Sequence, residues 1–235
     1  MQLPLDRARK ATGRGGWRPG AGRPRGRSKV GHVRRERFAG RFPQHVTLRV
    51  VAGVGSLRRY HPLRVVRAAI AKGGHGDHFR IVEFNLLSNH VHLIVEAASA
   101  EALARGMQGF GVRLARGINR VLGRRGQLFA ERYHSRSLRT PTEVRHAVRY
   151  VLLNQRHHIS RSGARPSGAV LDPYSSAAWF DGWKAPVRAY EPWQRELLAT
   201  PRPTASPTAW LLTTGWKRRG LLGLGESVGR HPRSP

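Results

Sequence analysis

The sequence predicts an α+β fold, a ferredoxin-like antiparallel sheet whose elements run β-α-β-β-α-β-α. Three observations predict it. Segments of period two and segments of period 3.6 follow one another in that order. A Ser88-Asn89 pair joins two strand-like runs as a tight hairpin turn. Helix-start residues stand where the helical periods begin. The expected sheet carries its crossing helices on one face and is followed by an extra C-terminal helix.

The first strand is read from residues 44–51, where Val46, Leu48 and Val50 share one face of a β-branched, alternating run. Pro62 then suits the first turn of a helix that buries Leu63, Val66 and Ile70 and stops at Gly73-Gly74. Residues 79–87 and 90–97 are the two apolar strands of the hairpin. Leu103, Met107, Phe110, Leu114, Ile118 and Val121 then step by three and four, the stripe of an amphipathic helix. After Leu128-Phe129 a short strand is expected over 132–138. Thr140-Pro141-Thr142-Glu143 reads as a capping box with proline at N1. The helix it opens carries Val144, Ala147, Val148, Val151 and Leu152 on one face and runs to about His158.

Composition bounds the chemistry. The 235 residues, 39% of them hydrophobic, suffice for one modest core. Forty-three Lys and Arg against 13 Asp and Glu give a formal charge of +30, so a polyanion is the expected partner. The absence of cysteine excludes disulfides, thiolate zinc sites and cysteine nucleophiles. No apolar run approaches the roughly 20 residues that span a bilayer, so a soluble chain with no membrane partner is expected, and the lack of cysteine with the positive charge makes the expected place the cytoplasm, in association with the nucleoid.

Residues 1–41 combine many arginines with glycines and no apolar period, and are expected to be a disordered basic arm. Within it, residues 22–27 resemble an AT-hook, which makes Arg23, Arg25 and Arg27 candidate DNA contacts. A flexible tail that binds any nucleic acid is the plainer reading. Residues 161–235, rich in Pro, Arg and Trp, are expected to form an accessory tail, with Trp179 and Trp183 as candidates for stacking on bases.

Two groups of residues invite chemistry. In His90-Val91-His92, strand alternation puts both imidazoles on one face, an arrangement that suits a metal ion but, taken alone, more often belongs to two satisfied or solvent-facing histidines. On the last helix, Tyr150 and Asn154 lie one turn apart on the flank of the apolar stripe. Together they offer a nucleophile, two imidazoles and an amide oxygen.

The segments Asn89-His90-Val91-His92-Leu93-Ile94-Val95, Gly126-Gln127-Leu128-Phe129 with Arg132-Tyr133-His134, and Tyr150-Val151-Leu152-Leu153-Asn154 resemble the single-tyrosine HUH transposases. The nearest likeness is to the REP-associated tyrosine transposases, over residues 43–158. Leu87-Ser88 stands where that family commonly has Met-Pro, and Gln155-Arg156 where it commonly has Pro-Val. The resemblance implies that residues 42–160 are a catalytic domain in which His90, His92 and Asn154 hold Mg²⁺ or Mn²⁺. It implies that Tyr150 attacks single-stranded DNA beside a hairpin, leaving a 5′-phosphotyrosine link, in a monomer or a homodimer. Tyr133 is the rival nucleophile, and His146, one turn before Tyr150, a candidate proton partner. The alternative is a domesticated, non-catalytic nucleic-acid-binding protein on the same fold.

Overall fold

A computed structural model describes residues 38–161 and 171–226, with the backbone alone over 155–161. The basic arm to residue 37, and with it Arg23, Arg25 and Arg27, lies outside the described residues.

Four strands, β1 (Gln44–Arg49), β2 (Phe79–Leu86), β3 (His90–Ala97) and β4 (His134–Ser137), form one sheet in the order β2-β3-β1-β4. Every pairing is antiparallel. This is the α+β sheet with ferredoxin-like element order that the sequence predicts. The hairpin closes as expected, with Leu87 N–H donating to His90 O across Ser88-Asn89 at 2.9 Å. The last strand is shorter than its expected 132–138.

Helices α1 (Tyr60–Gly73) and α2 (Ala100–Val121) cover one face of the sheet. Val66 and Ile70 of α1 and Met107, Phe110, Leu114 and Ile118 of α2 are buried against Val46, Leu48, Val91, Leu93 and Val95 of the central strands. Glycine inside a helix costs about 1 kcal/mol relative to alanine, and here it is set against close packing. A Cβ on Gly106 would come within 2.2 Å of the Phe79 ring, and one on Gly117 within 2.4 Å of Val65. Ser99 caps α2, its hydroxyl accepting from Ala102 N–H at 3.2 Å.

The extra helix, α3 (Pro141–Arg161), lies on the opposite face. Its start is the predicted capping box: Thr140 Oγ1 accepts from Glu143 N–H at 3.2 Å, and Glu143 Oε2 accepts from Thr140 N–H at 3.1 Å. Val144, Val148, Val151 and Leu152 bury against Ile94 and Val82 of the sheet.

The C-terminal chain completes that second layer. Residues 174–176 lie along the outer edge of β2, where Leu86 N–H donates to Tyr174 O and Ser176 N–H to Phe84 O. Further along, Ala205 N–H donates to Ile81 O, so the edge is covered twice. The carboxylate of Glu96 accepts from the backbone N–H groups of Thr208 and Ala209 at 2.8–3.1 Å and from the Thr208 hydroxyl at 2.8 Å. It thereby caps the helical turns that carry Leu211, Leu212 and Trp216 into the core beneath α3. A short helix, α4 (Pro192–Ala199), packs outside this layer and buries Leu197.

Two expectations for the tail need correction. Trp183 is 8% exposed and donates its indole N–H to Ala177 O, while the Trp179 indole donates to Thr200 O and lies under Arg67. Both are therefore packing residues, not open stacking platforms, because the tail folds onto the sheet. All described residues fall in one compact unit, Arg35–Pro235. Among the described residues no helix is long and apolar enough to cross a membrane.

Candidate active site

Strand alternation fixes what faces α3. Val91, Leu93 and Val95 point to the α1–α2 core, so His90, His92 and Ile94 point the other way. The register extends this row across the sheet: Asn85 pairs with His92, His92 with Thr47, and Thr47 with His134. One row further on, His90 pairs with Arg49. Directly opposed residues leave the same face of a sheet, so these side chains share one surface.

The two histidines of the hairpin strand stack with ring centroids 6.1 Å apart and planes 19° from parallel. Each is oriented through Nδ1. Thr47 Oγ1 lies 3.2 Å from His92 Nδ1, and Asn89 Oδ1 lies 2.7 Å from His90 Nδ1. A ring held at Nδ1 presents Nε2 as its ligating nitrogen, the arrangement usual for metal-binding histidines.

Helix α3 brings Tyr150 over this surface. Its ring meets His92 edge-on at 5.3 Å, with the planes 88° apart. The helix is docked at this turn by Asn85, fully buried, whose amide donates to Val151 O at 2.6 Å. Asn85 is in turn near Asp172, which forms a bidentate pair with Arg58 at 2.8 and 3.0 Å. The turn carrying Tyr150 is thus pinned to the row carrying His92.

Burial raises the Tyr150 phenol above its ordinary pKa of 10, and the Asn154 side chain offsets this in part by favouring the phenolate. Asn154 itself is 0% exposed, and neither its Oδ1 nor its Nδ2 has a well-formed hydrogen-bond partner among the described residues. Its contact with the tyrosine is therefore looser than a strict hydrogen bond. A buried amide in this condition is costly unless something further satisfies it.

These donors suit a divalent cation: two imidazoles oriented at Nδ1 and a buried amide oxygen with spare capacity. No cluster of three or more His, Cys, Asp or Glu side chains that could hold a metal occurs among the described residues.

The structure separates the two tyrosines. Tyr133 packs against the α1–α2 core, on the far side of the sheet, whereas Tyr150 stands on the histidine face. It also brings in a residue that the sequence alone does not single out. His45, 6% exposed, stacks on His92 at 5.5 Å and meets Tyr150 edge-on at 5.8 Å. The signal was present in the first strand. If Val46, Leu48 and Val50 face one core, His45 and Thr47 must face the other side. His146, by contrast, is exposed, and partial burial together with the charges of Arg149 and Arg145 lowers its pKa, which keeps it neutral at pH 7.

Among solved structures, the chain is similar to that of a REP-associated tyrosine transposase bound to a REP hairpin. The two share 19% identity with a TM-score of 0.42, over 55% of this chain and 74% of that one, a distant structural likeness. No family model matches the chain. No curated protein matches it either.

Proposed function

We propose that this protein is a metal-dependent tyrosine DNA transposase that cuts and rejoins single-stranded DNA through Tyr150. The observation that carries the reading is the tyrosine set edge-on against His92, which itself stacks on His90. A packing tyrosine has no need of an imidazole oriented at Nδ1 beside it. The charge of +30 supplies the attraction to a phosphate backbone.

His90, His92 and the Asn154 amide would hold Mg²⁺ or Mn²⁺, and their imidazole content favours manganese. When bound, the cation supplies Lewis-acid polarisation of a non-bridging phosphate oxygen. Tyr150 Oη attacks phosphorus in line, and the P–O3′ bond breaks as the new P–O bond forms. The phenol proton is released, and the departing 3′-oxygen takes up a proton to become a 3′-hydroxyl. Because a 5′-phosphotyrosine diester replaces the DNA diester, a second 3′-hydroxyl can reverse the step and join a new strand without ATP. Thr47, Asn89 and Asn85 act through others, the first two holding the imidazoles and the third holding the helix turn beneath Tyr150.

The test is incubation of the purified protein with labelled, hairpin-bearing single-stranded DNA and Mn²⁺. A denaturation-resistant protein–DNA adduct is expected, lost in Tyr150→Phe and in the His90→Ala/His92→Ala variant. DNA binding with no adduct on any such strand would instead make the protein a non-catalytic nucleic-acid binder on this fold.

A further inference from the structure

We infer that the open half of the histidine-bearing face, centred on Arg49, is a shelf that holds a backbone phosphate of the single strand next to the reacting phosphodiester. The inference deepens the reading of this site as a DNA-cleaving one and rests on it for the identity of the strand.

The position comes from register. Arg49 is the direct cross-strand partner of His90, so its side chain leaves the sheet on the same face and next to it. Helix α3 packs over β2 and β3, and Arg49 on β1 is exposed. Thr47 and His134 continue the same polar surface toward the β4 edge. His134 is itself exposed, with Nε2 lying 3.2 Å from Glu131 Oε1.

Charge singles Arg49 out from its neighbours. Arg136, two rows away on the same face, is paired with Glu143 at 2.9 Å. On α3, Arg145 and Arg149 share Glu226 at 2.8 and 3.8 Å. At the base of the site, Arg58 is taken by Asp172. Arg49 has no ion pair with a carboxylate among the described residues. A guanidinium beside the His90 imidazole and without a carboxylate partner among the described residues is a planar fork matched to the oxygens of a phosphate.

Binding of a short fluorescent single strand is measured by anisotropy over a range of KCl concentrations. It is carried out without divalent metal in the Tyr150→Phe background, so that cleavage plays no part. Adding Arg49→Gln is expected to weaken binding about ten-fold at low salt, as loss of a charge-assisted contact should. The slope of log affinity against log salt should shrink by about 0.7, the signature of one single-strand phosphate released. Arg49→Lys should restore the slope and part of the affinity. Arg105→Gln, an exposed arginine on α2, is the control for net charge. Unchanged affinity and slope in Arg49→Gln would overturn the shelf, and so would an equal loss in Arg105→Gln. If the wild type forms no adduct, the nuclease reading fails on its own, and these slopes still decide whether Arg49 holds a phosphate.

Discussion

Glu83 gives the second layer of this protein a built-in pH dependence. The side chain, 3% exposed on β2, accepts from the Ser176 hydroxyl at 2.5 Å and lies 3.7 Å from Arg202. Burial drives its pKa from the ordinary 4.5 to about 7, against the opposing pull of Ser176 and Arg202 and with a small push from Asp181. The folded state therefore keeps a proton that the unfolded chain has released. This group's contribution to stability is greatest below the unfolded value of 4.5 and is lost as pH rises through about 7. At about 1.4 kcal/mol per pH unit, the difference comes to about 3 kcal/mol. Glu83→Gln keeps an oxygen for Ser176 and removes the titration. Urea denaturation of both proteins from below the unfolded value of 4.5 to above the folded value of about 7 should show the wild type losing about 3 kcal/mol relative to the variant. Parallel stability curves across that range would refute a buried, proton-binding carboxyl here.

Other perturbations probe the site and its support. Thr47→Val removes the oxygen at His92 Nδ1 with little change in volume. It should raise the manganese concentration for half-maximal adduct by about ten-fold, with thermal stability little changed. Glu96→Ala strips the acceptors from Thr208 and Ala209, should cost about 2 kcal/mol, and should speed limited proteolysis after residue 200, read by intact mass. Trp216→Ala, at a position 1% exposed, packed on α3 and stacked on Phe180, should cost about 3–5 kcal/mol in urea denaturation through the cavity it leaves.

What the sequence discloses of this molecule follows from how local each signal is. Alternation in β3 places His90 and His92 on one face, and helical spacing places Asn154 one turn beyond Tyr150, because both depend on neighbours in the chain. The capping box at Thr140 and the hairpin at Ser88-Asn89 are local for the same reason. That His45, Thr47 and Arg49 join the histidines depends on which strands pair and in what register, and a single sequence does not state that. The fold of the C-terminal chain is hidden more deeply. Phe180, Trp183, Leu211, Leu212, Trp216 and Leu222 are buried without a period, since they sit on loops and short turns shaped to α3. Glu83, Asn85 and Glu96 likewise look like polar interruptions in apolar strands until Ser176, Val151 and Thr208 supply their partners.

The central claim is that Tyr150, and not Tyr133, becomes bonded to DNA. The direct measurement is peptide mass mapping of the protein after reaction with hairpin-bearing single-stranded DNA and Mn²⁺, followed by nuclease trimming of the DNA. A nucleotide adduct is expected on the peptide containing Tyr150, its yield unaffected by Tyr133→Phe. An adduct on Tyr133, or an adduct that persists in Tyr150→Phe, would contradict the claim.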